Sequence, residues 1–237
     1  MLSETLNTIY CGPPPGPAQL WYSWNFDPVL LSVLAVSCWT VRHTTSGLWA
    51  VAVLFVAFVS PLCALSSTLF SARVVHHVLL IAVAAPLLAR ISPARHPVHP
   101  AFPLVVSTIA LWGWHLPAAY DLALSNVAVY WVMQISLLAT AIWFWRAVMA
   151  PNRPPIDALS FIVIAYAQMG MLGAILTFAP SPLYAAHVVS PYLWGMEPLV
   201  DQQLGGLIMW GPAGVAYAVL GFIVARGWWT DLRRVQA

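Results

Sequence analysis

Polar residues along this chain come in short clusters, and between them the sequence is almost wholly apolar. Seven apolar runs occupy roughly residues 28–42, 47–66, 72–90, 101–118, 127–149, 157–180 and 201–226. A helix needs about 20 mostly apolar residues to cross a bilayer. The pattern therefore predicts an all-α membrane protein, a bundle of seven transmembrane helices. The first run is short and is expected to begin a few residues earlier. Residues 1–27 are polar and proline-rich, with Pro13-Pro14-Pro15 followed by Trp21, Tyr22 and Trp24. They read as an outer N-terminal arm ending in an interfacial aromatic belt. Residues 28–237 then form a single transmembrane domain. No internal repeat and no cleavable signal peptide is visible.

Arginine placement orients the bundle. With the N-terminus outside and the C-terminus cytoplasmic, Arg42, Arg90, Arg95, Arg146, Arg153, Arg226, Arg233 and Arg234 all fall inside, and only Arg73 falls outside. That asymmetry is the positive-inside pattern. Glu4, Asp27, Asp121, Glu197 and Asp201 then lie at or beyond the outer face. The outer connections are a turn at 66–72, the Tyr120-Asp121 segment and a long aromatic loop at 181–200. The loop is expected to fold back on the bundle.

Composition narrows the classes. The 237 residues are 61% hydrophobic and 7% charged, where soluble domains carry about 25% charged residues. All nine basic residues are arginine, which excludes a retinal Schiff base, since that linkage needs a lysine amine. No basic patch suits nucleic acid. Cys11, Cys38 and Cys63 form no CxxC, and Cys38 and Cys63 are expected to be small core residues. No nucleophile–base arrangement or nucleotide loop is present, so the chain is not read as an enzyme.

The chemistry-bearing residues gather toward the outer face. Arg73-Val-Val-His-His opens the third run. Ionisable groups at membrane depth are costly and mark functional sites. His76 and His77 point about 100° apart on a helix, whereas His77 shares a face with Arg73; His77 is expected to be the inward one. His115 ends the fourth run and His187 lies in the long loop, while His43, His96 and His99 flank inner loops. Asp121 and Asp201 could cap helices, orient histidines or bind metal. Imidazole suits copper, zinc and iron, and thioether selects Cu(I), so Met209, about two turns beyond Asp201, is a thioether candidate. Met169 and Met171 read first as packing. Gly170, Gly173, Gly205 and Gly206 should let the last two helices approach closely. Kinks are expected at Pro86 and Gly211-Pro212.

Four stretches resemble the CtaG family of integral-membrane cytochrome c oxidase assembly factors. They are Leu69-Phe-Ser-Ala-Arg-Val-Val-His-His-Val-Leu-Leu with Ala85-Pro-Leu-Leu, Trp114-His-Leu-Pro-Ala-Ala-Tyr-Asp-Leu-Ala-Leu, Pro182-Leu-Tyr, and Asp201-Gln-Gln-Leu-Gly-Gly-Leu-Ile-Met-Trp. The resemblance implies a factor of the bacterial cytoplasmic membrane that matures or delivers copper to haem-copper oxidase subunits from the outer side, with a copper chaperone as a further partner. By motif it points to His77, His115, Asp121 and Asp201. The chain departs from the family pattern at Arg73 and His76, where histidine and glutamine are usual, and at Val200, where an acid is usual. Arginine cannot ligate copper, so His76 joins the candidates. Competing readings are a non-metal structural subunit or docking scaffold of a respiratory oxidase, a haem or quinone redox protein, and a copper transporter.

Overall fold

Every one of the seven apolar runs folds as helix in the computed structural model, which describes residues 10–92, 98–151 and 153–236. Among the described residues there is no strand. Glu4, Arg95 and His96 lie outside them, as does the side chain of Arg234.

The first run is α1 (Pro28–Val41), and the second divides into α2 (Thr45–Phe58) and α3 (Pro61–Thr68). The third comprises α4 (Phe70–Val78), a π-helical stretch Leu79–Ala84 and α5 (Ala85–Ile91). The fourth divides into α6 (Ala101–Trp114) and α7 (Pro117–Ser125); then come α8 (Val127–Val148) and α9 (Pro155–Thr177). The last run is α10 (Pro198–Trp210) and α11 (Pro212–Gln236). By length and composition four helices can cross a membrane, and six spans result if each bent pair is one. The 14-residue α1 is about 21 Å long against a hydrocarbon core of about 30 Å.

Proline and side-chain caps explain where helices start. Proline has no N–H to leave orphaned, so it suits a first turn, and it opens α1, α3, α7, α9 and α10. Asp27 accepts from Val29 and Leu30 N–H, and Asn126 from Ala128 and Val129 N–H. The large bends differ from those expected. Ser60-Pro61 bends the second run by 46° and Leu116-Pro117 the fourth by 73°. At Gly211-Pro212 the helix is interrupted, yet Pro198–Thr230 remains one span. Ahead of Pro86 the chain answers with the π stretch, because proline removes an N–H from the ladder.

Two expected connections are corrected. Tyr120 and Asp121 lie inside α7 rather than in a loop, and residues 66–72 hold no free turn, since Leu69 alone separates α3 from α4. The cysteines are corrected too. Cys63 is buried in the core as expected but is bonded to Cys11 in a disulfide, and Cys38 is exposed on α1 rather than packed in the core.

One end of the bundle carries the arm, α3, α7 and the long loop. The arm is held there by the disulfide, by Tyr10 Oη donating to Asp27 at 2.8 Å, and by Trp194 Nε1 donating to the Pro15 carbonyl at 3.0 Å. The loop does fold back: Ser190 Oγ donates to the Thr68 carbonyl at 2.6 Å and Leu183 N–H to Gln202 Oε1 at 2.7 Å. At the opposite end Arg146 donates to Ser92 and Arg153 to the Val98 carbonyl. The expected close approach of the last two helices is present. A Cβ on Gly173 would lie 2.8 Å from the Gly206 carbonyl oxygen, whereas Gly205 faces α4 instead, where a Cβ would lie 2.5 Å from the Phe70 ring.

Candidate functional site

The α4 helix brings Arg73, His76 and His77 into the interior at the loop end of the bundle. Their exposures are 1%, 0% and 3%. The helical offset sends the two histidines different ways. His76 meets the edge of Phe58 from α2, with ring centroids 4.9 Å apart. His77 faces His115 at 6.0 Å. His77 is thus directed at the second candidate histidine, and His76 is buried beside it rather than wet, its ring 5.7 Å from that of His77.

His115 stands at the bend between α6 and α7. Its Nδ1 lies 2.7 Å from the Leu111 carbonyl. A carbonyl can only accept, so Nδ1 carries the proton and the neutral ring presents a lone pair at Nε2. Such a fixed tautomer is how ligating imidazoles are usually oriented. Both ring nitrogens of His76 and of His77 are buried and without a partner. Buried polar atoms are nearly always satisfied, so orphaned ones at one locus ask for a water, an ion or a ligand.

A cavity of about 10 Å³ lies against the rings of His77 and His115. His77, His115, Met169 and Met209 line it, with aliphatic walls from Ile81 and Leu111 among others. It has room for about one water-sized body. Met209 is 2% exposed and Met169 2% exposed. Met209 is legible in the sequence as a thioether candidate. Met169 reads there as packing, because nothing along α9 shows that it meets the histidines across the bundle. Two imidazoles and two thioethers form a soft donor set of the kind that suits Cu(I). Among the described residues no three His, Cys, Asp or Glu side chains come together as a metal site, so a metal here would depend on the thioethers.

The two aspartates sit elsewhere. Asp201, on α10, accepts from Phe70 N–H at 2.6 Å, Ser71 N–H at 3.1 Å and Ser71 Oγ at 2.5 Å. It caps the start of α4, a helix other than its own, and so fixes the base from which Arg73, His76 and His77 project. Asp121 accepts from Ala185 and Ala186 N–H at 3.2 and 3.1 Å and anchors the long loop. Their oxygens are occupied by these donors.

Three further residues belong to the surroundings. His187 donates from Nδ1 to the Thr68 carbonyl at 3.2 Å, which leaves Nε2 to accept from Tyr120 Oη at 2.7 Å. Burial, reinforced by the charge of Arg73, pushes its pKa down to about 3. Gln134 on α8 is 1% exposed with both amide atoms unpartnered. The only sequence signal for it is a polar residue inside a 22-residue apolar helix. Arg73 donates from Nε to the Ser66 carbonyl at 3.1 Å, its guanidinium lies 5.4 Å from the Tyr130 ring centroid, and Nη1 and Nη2 have no partner.

Residues 90–231, more than half of the 237-residue chain, match the sequence model of a family described as cytochrome c oxidase caa3 assembly factor. The matched segment contains His115, Met169 and Met209 and begins after Arg73, His76 and His77. No curated protein and no solved structure matches the chain.

Proposed function

The chain belongs to the CtaG family of cytochrome c oxidase caa3 assembly factors, and from that premise we propose that it carries copper as cargo for the oxidase copper centres. The observation that supports this reading is the convergence of His77, His115, Met169 and Met209 on one small cavity. The two imidazoles would supply the stronger donors, with His115 already held in the tautomer that presents Nε2. The thioethers would make the pocket soft and keep hard cations out. His76 stands one position from the set as a third imidazole to which copper could pass. Asp201 and Asp121 act through the scaffold: one sets α4, the other holds the loop over the site.

In this reading the protein has seven crossings, with the N-terminus outside and the C-terminus cytoplasmic in a bacterial cytoplasmic membrane. The site then faces the outside. The Cys11–Cys63 bridge supports that direction, because it lies at the loop end and such bridges persist in oxidising compartments. The partners are haem-copper oxidase subunits and a copper chaperone that loads the site; the protein itself is not an enzyme. Deleting the gene should abolish oxidase activity, and excess copper should restore it. An unaffected oxidase would remove the reading.

A second reading is a docking scaffold without metal. The loop-end surface favours it, since Trp21, Tyr22, Val189 and Tyr192 are all more than half exposed. Copurification with an oxidase at fixed stoichiometry, with no metal of its own, would be its signature.

A further inference from the structure

Arg73 is the buried group that the copper reading leaves unused. Among arginines whose side chains are described, it alone is fully buried. Nε is satisfied by the Ser66 carbonyl, but Nη1 and Nη2 have no partner. Asp201 is bonded to Phe70 and Ser71, and Asp121 to Ala185 and Ala186, so neither of these carboxylates bonds to the guanidinium. An unpaired charge taken out of water is strongly unfavourable. Rule-breaking of this sort is what functional sites tolerate.

Its position relative to the histidines is fixed by the helix. Residues four apart on a helix share a face, with Cβ atoms about 5–6 Å apart. Arg73 therefore stands one turn from His77, on the same side. A cation held by His77 and His115 would feel that fixed charge through a medium from which water is largely excluded.

We propose that Arg73 determines the valence of the ion this site accepts, admitting monovalent copper and excluding Cu(II) and Zn(II). The inference rests on the copper reading above and deepens it. Coulomb repulsion is linear in the charge of the bound ion. With charges on the order of 10 Å apart and an effective dielectric near 20, Arg73 weakens a monovalent ion roughly tenfold and a divalent ion roughly a hundredfold. The cavity works in the same direction. With space for about one water-sized body, it leaves no room for the extra ligands of a tetragonal Cu(II) site, while its thioethers favour Cu(I). A site that is selective but held weak by repulsion also releases its ion readily, as a carrier must.

The test uses the full-length protein in detergent with two redox-inert probes, Ag(I) for the monovalent class and Zn(II) for the divalent. Affinities are read by competition with chromophoric chelators in the wild type, Arg73→Lys and Arg73→Met. Arg73→Lys keeps the charge and should match the wild type. Arg73→Met keeps the length, removes the unpaired charge and should fold at least as well; Arg73→Gln carries the same prediction should the Met variant aggregate. Removal of the charge should tighten Ag(I) about tenfold and Zn(II) about a hundredfold. An equal change for the two ions, or none, would overturn the assignment of valence to Arg73. Failure of the underlying reading looks different: Ag(I) binding would be absent from every variant, or would persist unchanged in His77→Ala and His115→Ala.

Discussion

His187 shows how a single side chain holds the loop end together. It bridges α3 and α7 by donating to the Thr68 carbonyl and accepting from Tyr120, and it does so as a neutral ring. Burial beside Arg73 pushes its pKa down to about 3, whereas in the unfolded chain histidine titrates near 6.5. The folded state thus refuses a proton that the unfolded chain accepts. Above about pH 6.5 neither state is protonated and nothing is lost; below it stability falls by about 1.4 kcal/mol per pH unit, levelling off near pH 3. Acidification from pH 7 to 5 should therefore loosen the loop, and His187→Asn should blunt that response. Hydrogen exchange across residues 181–197 at the two pH values measures it; pH-independent protection in the wild type would contradict the assignment. At this scale the sequence is least informative. His77 is expected from its helix to be the inward histidine, and His115 and Met209 can be read only as candidate ligands from their motifs and spacing. Asp201 cannot be read as the cap of α4, because its partners lie 130 and 131 residues away along the chain.

Helices are legible as elements because each is an apolar run long enough to cover its own backbone hydrogen bonds in lipid. Their breaks are legible only as prolines. Ser60-Pro61 and Leu116-Pro117 give bends of 46° and 73°, while Gly211-Pro212 interrupts one span without dividing it. The difference lies in the helix that each proline opens. Pro61 and Pro117 begin short helices that turn along the loop end, whereas α11 runs on from Pro212 for 25 residues. The glycine contact between α9 and α10 is expected from the four glycines alone and is tight enough to test. A Cβ on Gly206 would lie 2.5 Å from the Gly173 carbonyl oxygen and still closer to Thr177 Oγ1. Backbone cannot yield there, so Gly206→Ala should cost about 1–3 kcal/mol in a detergent unfolding assay. Gly221→Ala on α11, where the nearest atom is 3.7 Å away on Leu159, should be neutral or slightly stabilising. Equal effects at the two positions would mean that the α9–α10 approach is looser than described.

Two features of the whole molecule concern how the arm and the bundle act as one body. The Cys11–Cys63 bridge ties the arm to α3 across 52 residues of sequence. No spacing rule reveals it, since the pairing depends on the arm lying over the bundle end rather than on a local motif. Closing a loop of that length is worth about 2–4 kcal/mol. Reductant should lower the melting temperature of the wild type to that of Cys11→Ser and leave Cys11→Ser unchanged. A wild type insensitive to reductant would show that the bridge is not formed. The second feature is the placement of the soft donors at the same end as the bridge, the long loop and the exposed aromatic surface. In the proposed reading these features would make a carrier whose cargo enters and leaves on one side of the membrane. The most direct measurement is the copper content of the purified protein after anaerobic loading with Cu(I), beside His77→Ala, His115→Ala and Met209→Leu. About one copper per chain is expected in the wild type, lost in either histidine variant and weakened in the methionine variant. A folded protein that takes up no copper, or that keeps it in both histidine variants, would contradict that reading.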